Sequence, residues 1–233
     1  MKSENDDHNH GKSKMYHSYY NVIDYNVMFS TPPLMTALYP HEDFDDIVNY
    51  IKGLQYRTNI RRCQDNEKSV DTFVLKKDIL GNLHEFIKGC VKEYTDKIFV
   101  SDQELRVTQS WVNRNKLGQE HHYHYHPNSV LSGVFFLQSS AGDKAPIKFL
   151  NDQKVMFDLA LKKGVKDPYN EYINSSYICP SQPRTLCIFP SYIPHCVPVN
   201  VGVDRYSLSF NTFPSDSFGS KTGLTYVDLE KEV

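Results

Sequence analysis

Apolar residues divide the chain into a helical first part and a strand-rich second part. Within residues 41–54 they recur at helical spacing, with acidic residues early and a lysine late, which favours an amphipathic helix. A second helical period runs through residues 80–91, although Gly81 and Gly89 weaken it. We therefore predict a helical region over about residues 41–98, interrupted by a polar and basic loop at residues 56–70.

From residue 105 onwards the pattern changes to short apolar or alternating runs, which are typical of β-strands. The clearest is the run 130–137, which is β-branched and aromatic and too short for a typical helix. Short strands separated by proline and glycine turns predict a sandwich, barrel or jelly roll, with the β core over about residues 105–213. The predicted strands are residues 19–29, 34–39, 106–113, 122–126, 130–137, 145–150, 177–180, 184–189, 197–201 and 206–213.

Two segments show neither helical nor strand periodicity. Residues 1–14 are polar and charged, so we predict a disordered tail, followed by a single domain over residues 15–233. Residues 151–176 form a long connection of weak pattern. Inside a compact domain, a connection of that length is often a lid or a substrate loop.

Composition restricts the classes of function. The net charge of −2 gives no basis for binding nucleic acid or an anionic membrane. The five cysteines include no CxxC pair, so a reducing compartment is expected rather than a disulfide framework. No apolar stretch is long enough to span a membrane, and the N-terminus lacks the apolar segment of a signal peptide. We expect a cytoplasmic protein.

A histidine cluster is the strongest chemical signal. Four of the ten histidines fall within residues 121–126. In an extended strand His122, His124 and His126 face one side, and His121 with its odd-numbered neighbours faces the other. Two imidazoles at i and i+2 can hold one metal ion. A solvated face or a pH-sensitive patch is the simpler interpretation of such a cluster, and the downstream sequence decides between them.

Downstream, a third histidine and an arginine follow two apolar runs. His195 comes just after the run 184–189, and Arg205, Ser207 and Ser209 share one face of the next strand. A planar guanidinium on that face suits a bidentate carboxylate, although a structural ion pair would explain it if it stood alone. Together these residues place three metal ligands beside a carboxylate clamp. Facial ligation by three residues leaves positions for a chelating keto acid and O₂.

The order of these motifs resembles the Fe(II)/2-oxoglutarate-dependent oxygenases, and within them the branch common in phage and marine bacterial genomes. The resemblance covers roughly residues 27–213. It implies an α+β, mainly β fold, a double-stranded β-helix (jelly roll) with flanking helices. The motifs are Phe29-Ser-Thr-Pro-Pro33, Trp111-Val-Asn113, His124-Tyr-His126-Pro-Asn-Ser129, Leu131-Ser-Gly-Val-Phe-Phe136, Phe189-Pro-Ser-Tyr-Ile-Pro-His195 and Arg205-Tyr-Ser207.

The resemblance implies that His124, His126 and His195 bind Fe(II). Most of the superfamily has Asp or Glu at the position of His126. A third neutral ligand leaves the site with one more positive charge, so Fe(II) should bind less tightly and zinc should compete more strongly. The alternatives to His126 are a carboxylate, Glu120 or Asp143, or a shifted strand pair of His122 with His124.

For the cosubstrate, the resemblance implies that Arg205 binds the distal carboxylate of 2-oxoglutarate with help from the Ser207 hydroxyl, and that Asn113 also contacts it. No catalytic residue beyond the metal centre is implied. The expected activity is hydroxylation of an unactivated C–H bond of a protein side chain or small molecule by O₂, with release of succinate and CO₂. A phage protein would act in the host cytoplasm.

Two other functions fit parts of the sequence. A cupin, including a three-histidine dioxygenase, is also a metal-binding jelly roll, but it does not need the Arg-x-Ser strand. A non-catalytic binding or virion module could keep the fold without turnover. Binding of 2-oxoglutarate separates the oxygenase from both alternatives.

Overall fold

The strands of the β core pair into two antiparallel sheets in the computed structural model of this chain. The structure describes residues 33–59, 65–139, 145–150 and 176–229. The strands are β1 (Met35–Leu38), β2 (Tyr56–Thr58), β3 (Glu67–Ser69), β4 (Leu105–Asn115), β5 (His121–His124), β6 (Leu131–Gln138), β7 (Ile147–Leu150), β8 (Ser176–Cys179), β9 (Thr185–Pro190), β10 (His195–Val197), β11 (Arg205–Pro214), β12 (Ser217–Phe218) and β13 (Val227–Asp228).

The winding of these strands is that of a jelly roll. The large sheet has the order β1-β9-β6-β11-β4-β3-β2 and the small sheet has the order β5-β10-β7-β8, while β12 and β13 form a separate hairpin. From β4 to β11 the chain passes back and forth between the sheets, except that β7 and β8 pair within the small one. The predicted double-stranded β-helix is therefore confirmed.

Two helices pack against the large sheet. α1 spans Phe44–Lys52 and α2 spans Gly81–Tyr94, so the two helices predicted from apolar periodicity are confirmed. Short 3₁₀ turns precede α2 and a π-helical turn follows it. The helices and the sheet share a buried apolar cluster, to which they contribute Ile47, Ile51, Leu83, Ile87, Val91, Val112, Phe135, Ile188, Leu208 and Phe210.

Strand alternation gives the large sheet two different faces. The even-numbered residues 206–210 of β11 join the cluster on the helix side. Arg205, Ser207 and Ser209 point instead into the space between the two sheets, as the sequence predicted. A second apolar cluster with members from both sheets fills most of that space, including Phe136 and Phe149. The polar side chains of β11 therefore share the space between the sheets with this apolar cluster and with other polar side chains.

Three sequence predictions are wrong in detail. The segment predicted as a loop at residues 56–70 contains β2 and β3, which extend the large sheet through pairing with β4. These strands are polar and short, and ion pairs of Glu67 with Arg114 and Lys116 hold them. β10 begins at His195, earlier than the predicted strand 197–201, and β12 and β13 were not predicted.

Some predictions concern residues outside the described part of the chain. They include the polar tail at residues 1–14, the strand at 19–29 and all but the last residue of the loop 151–176. The division into a tail and one domain over residues 15–233 therefore stays a prediction.

We expect Gly133→Ala to lower the free energy of unfolding by about 1–3 kcal/mol, the usual effect of overpacking a core. Gly133 on β6 lies opposite Phe210 on β11, and a Cβ there would overlap the ring of this fully buried phenylalanine. Urea unfolding followed by circular dichroism measures the change.

Gly89→Ala is the matched control for this substitution. Gly89 lies within α2, and a Cβ there meets no atom within 4 Å. We expect that variant to be stabilised by about 0.5–1 kcal/mol, because alanine is the better helix former. Equal effects of the two substitutions would contradict the steric explanation.

Candidate metal centre

Three histidines meet in the space between the sheets, two of them on strands of the small sheet and the third just after β5. His124 ends β5, His195 begins β10, and the two are direct cross-strand partners. His126 follows two residues after His124. The nitrogen atoms that these side chains offer to a metal all lie within 4.8 Å of one another. The structure therefore brings together the three residues proposed as ligands, close enough to share one ion.

Each of the three imidazole rings is held by a hydrogen bond at Nδ1. The Nδ1 of His124 donates to the carbonyl of His122 at 2.7 Å, and that of His195 donates to the carbonyl of Ile193 at 2.9 Å. The Nδ1 of His126 donates to Oδ1 of Asn211 at 2.6 Å. Because a carbonyl oxygen only accepts, these bonds fix the hydrogen on Nδ1 and the lone pair on Nε2. This arrangement is the usual one for histidines that bind a metal.

Burial keeps the imidazoles of His195 and His126 neutral. Burial, together with the neighbouring His124 and His126, lowers the pKa of His195 to about 3. Burial also lowers the pKa of His126, against the opposing effect of its hydrogen bond to Asn211. A neutral imidazole offers its lone pair without first releasing a proton. At neutral pH the cluster is therefore prepared to bind a divalent cation.

A buried arginine lines the same cavity. Arg205 is 2% exposed, and its Nη1 donates to Oγ of Ser207 at 2.9 Å. Its guanidinium lies 5.4 Å from the centre of the Phe136 ring. The cavity wall includes Arg205 and Ser207 together with all three histidines of the cluster. A ligand that chelates a metal on the histidines could therefore extend towards the guanidinium.

Asn113 is also in the cavity wall, and its amide is fixed from two sides. Its Nδ2 donates to Oγ of Ser209 at 2.9 Å, and its Oδ1 accepts from Nδ2 of Asn66 at 3.0 Å. Asn113 and Ser207 are cross-strand partners on β4 and β11. The structure thus places all six predicted site residues around one cavity.

His121 contradicts the predicted alternation. From His121 to His124 β5 advances three residues, whereas its partner β10 advances two, from Val197 to His195, so the pairing contains a bulge. The bulge turns His121 inwards, where its ring stacks on His124 with centroids 4.3 Å apart. His121 also lines the cavity. The prediction that it faces away from the site is wrong.

The bulge also removes His122 from the cluster. Its Nδ1 lies 3.4 Å from Oδ1 of Asp65, which is fully buried. His122 lines a cleft outside the metal cavity, and so does Glu120. His122 and Glu120, two of the alternative ligands, therefore do not line the metal cavity. The third alternative, Asp143, lies outside the described residues.

Sequence reasoning missed two residues that hold His126. Oδ1 of Asn211 accepts both from His126 and from the Ser132 hydroxyl, which is 2.9 Å away. Oγ of Ser132 also lies 2.8 Å from Oγ of Ser191, which in turn donates to Ser129. The serine of the His-x-His-Pro-Asn-Ser motif thus belongs to a hydrogen-bond network behind the cluster. Asn211 has no signal in the sequence, because its contact with His126 joins distant parts of the chain.

We expect Asn211→Leu to weaken metal binding by about 10–100-fold, the usual cost of removing the hydrogen-bond partner of a metal-binding histidine. Asn211→Asp keeps an oxygen acceptor for Nδ1 of His126 and should retain the affinity. Calorimetric titration with Zn(II) measures both. Equal affinity of Asn211→Leu and the natural protein would show that this bond does not orient the ring.

Comparisons with known proteins agree with this geometry. Residues 109–211 match the family model described as "Putative 2OG-Fe(II) oxygenase". No curated protein sequence matches the chain. Among solved structures, a Pseudomonas putida prolyl-4-hydroxylase has a TM-score of 0.56 at 11% identity, covering 79% of this chain and 94% of that chain.

Two further solved structures with the same fold contain bound ligands of different classes. A Trichoplax adhaerens prolyl hydroxylase in complex with a hypoxia inducible factor peptide has a TM-score of 0.55 at 10% identity, covering 79% of this chain and 84% of that one. HygX from Streptomyces hygroscopicus, with nickel, 2-oxoglutarate and hygromycin B bound, has a TM-score of 0.55 at 9% identity with the same coverage of both chains. At these identities the structures show the shared fold. The family match adds that residues 109–211, which include every residue of the site from Trp111 to Asn211, are similar in sequence to the 2OG-Fe(II) oxygenases.

Proposed function

We propose that this protein is an Fe(II)- and 2-oxoglutarate-dependent dioxygenase that hydroxylates an unactivated C–H bond and releases succinate and CO₂. One observation carries the proposal. Three imidazoles with their Nδ1 atoms already bonded share a cavity with a buried guanidinium. A site for a metal alone does not need the guanidinium, and a structural arginine does not need the imidazoles.

The histidines would bind the metal, and the other polar side chains of the cavity would bind the cosubstrate. His124, His126 and His195 would hold the iron through Nε2, because their Nδ1 atoms are occupied. Arg205 would bind the distal carboxylate of 2-oxoglutarate, with Ser207 fixing the guanidinium and Asn113 lining the path between them. When bound, iron with its cosubstrate supplies the activation of O₂, which side chains alone cannot provide.

The charges of the cavity favour a dianionic ligand. Its described lining includes Arg205 and no carboxylate, so a divalent cation on the histidines would add to an already positive site. Attraction between opposite charges is strong where water is excluded. Trp111, Val134, Ile147 and Val197 contribute apolar surface to the lining. The absence of an aspartate at position 126 makes the site more dependent on the charge of the cosubstrate than a site with a carboxylate ligand.

We propose a protein side chain or a small molecule as the substrate. The Trichoplax neighbour holds a peptide and the Streptomyces neighbour holds hygromycin B, so this fold accommodates both classes. A cleft of about 570 Å³ beside the metal cavity provides room for either. No helix among the described residues is both long and apolar enough to cross a membrane. A cytoplasmic setting and an origin in phage remain proposals that rest on the cysteine pattern and the motif order.

An anaerobic titration tests the function. Fe(II) and 2-oxoglutarate are added to metal-free protein, and the visible metal-to-ligand charge-transfer band of the chelate is recorded. We expect the band with both additions and with neither alone. Iron binding without the band would favour a cupin-type metal protein. Failure of both iron and 2-oxoglutarate to bind would favour a non-catalytic module.

A further inference from the structure

Two cavities meet at His121. The metal cavity lies between the sheets, and a cleft of about 570 Å³ lies beside it. The linings of the two cavities share His121 and Val197, which are cross-strand partners at the bulge in β5. These two side chains therefore lie where the cleft and the metal cavity adjoin.

The metal cavity is too small for the cosubstrate as it stands. Its volume is about 20 Å³. A space of that size holds about one water molecule. 2-Oxoglutarate is many times larger than water and would have to reach from the histidines to Arg205. A side chain in the wall must therefore move before 2-oxoglutarate can bind.

Most polar side chains of the lining are held in place. Hydrogen bonds fix the rings of His124, His126 and His195, and the side chains of Asn113 and Arg205 are also bonded. Of the four histidines in the wall, His121 is the one whose ring forms no hydrogen bond within the described part of the chain.

The contacts of the His121 ring are weak ones. It stacks on His124 at an interplanar angle of 23°, and it lies edge-on to His122 with centroids 5.3 Å apart. Stacking ties neither ring nitrogen to a partner, so a turn of the ring breaks no hydrogen bond and leaves no buried partner unsatisfied. The cleft offers the ring space into which it can turn.

We propose that His121 is the movable wall of the metal cavity, and that 2-oxoglutarate enters from the cleft when the His121 ring turns out of it. The inference rests on the proposed function, because it concerns the same cosubstrate. Val197 is smaller and carries no polar group, so it forms the fixed part of the same wall. His121 is thus a residue that sets the rate of cosubstrate binding, and it neither binds the metal nor contacts the reacting atoms.

The single tryptophan provides the measurement. Trp111 lines the cavity and lies 5.8 Å from the His126 ring between centroids, so its fluorescence should report ligand entry. Stopped-flow mixing of 2-oxoglutarate with Zn(II)-loaded protein gives association and dissociation rates without turnover. We expect His121→Ala to raise the association rate by about tenfold or more. Dissociation should accelerate as well, so the dissociation constant changes less than either rate.

Three variants make the test specific. His121→Asn, which is smaller but still polar, should accelerate entry in the same direction. His121→Phe should slow it, because an apolar ring is less stable in the open cleft. His122→Ala is the control, since His122 lines the cleft only, and it should bind at the rate of the natural protein.

The outcomes separate this inference from the proposed function. Equal association rates for His121→Ala and the natural protein would overturn the role of His121, and so would equal acceleration by His122→Ala. In both cases 2-oxoglutarate still binds and the proposed function stands. If 2-oxoglutarate produces no signal with any variant, and no charge-transfer band with Fe(II), then the proposed function is wrong and the role of His121 is wrong with it.

Discussion

Arg205→Ala is expected to lose about 100-fold or more in affinity for 2-oxoglutarate, because truncating one partner of a buried charge pair costs about 2–5 kcal/mol. Arg205 is 2% exposed, and its orientation is fixed by Ser207 and by the Phe136 ring. The carboxylate of the ligand would enter this buried site without a compensating charge. Titration of Zn(II)-loaded protein, followed by Trp111 fluorescence, measures the loss.

Two variants show whether the effect belongs to this guanidinium. Arg205→Lys keeps the charge but lacks the planar fork, so it should recover only part of the affinity. Arg114→Ala is the control, because Arg114 bonds to Glu67 on the neighbouring strand and lies outside the cavity lining. Affinity for Zn(II) itself should stay unchanged in Arg205→Ala. Unaltered binding of 2-oxoglutarate by Arg205→Ala would contradict the assigned role.

His195→Ala is expected to reduce metal affinity by more than about 100-fold. Loss of a residue that only hydrogen-bonds to a metal ligand already costs about 10–100-fold, and His195→Ala removes a ligand itself. It removes the only one of the three clustered imidazoles that comes from β10. The two remaining histidines lie on one short segment and cannot enclose the ion. Calorimetric titration with Zn(II), and with Fe(II) under anaerobic conditions, measures the loss. His84→Ala on α2 is the control, since that residue is remote from the cluster in the chain and is absent from the cavity lining.

Position 126 tests the unusual third histidine directly. His126→Ala should weaken Fe(II) binding, whereas His126→Asp supplies an anionic ligand and should preserve or tighten Fe(II) binding. If His126→Ala binds iron as the natural protein does, a different residue completes the site.

The faces of the strands could be predicted, because side-chain alternation is a property of every regular strand. Arg205, Ser207 and Ser209 fell on one face of β11 on that basis alone, and the structure agrees. The same rule failed at His121, because a bulge changes the alternation by one step. A bulge depends on how two strands pair, and their pairing is not visible in the local pattern of apolar residues.

Other features depend on contacts between distant parts of the chain. Asn211 supports His126, and Asn66 supports Asn113, across long sequence separations. β2 and β3 show no hydrophobic period: ion pairs of Glu67 and pairing with β4 hold β3, and β2 pairs with β3. Such polar contacts can be identified only from the three-dimensional structure, whereas α1 and α2 can be predicted from the periodicity of their own apolar residues.

The central place of β11 restricts how this protein can change in length. Each successive residue from 205 to 210 belongs alternately to the cosubstrate side and to the helix side of the sheet. Loss of one residue there would move apolar side chains into the cavity and bring the guanidinium under the helices. The exposed turn between β12 and β13 carries no such constraint. Insertions and deletions in homologous chains should therefore accumulate in that turn and be absent from β11.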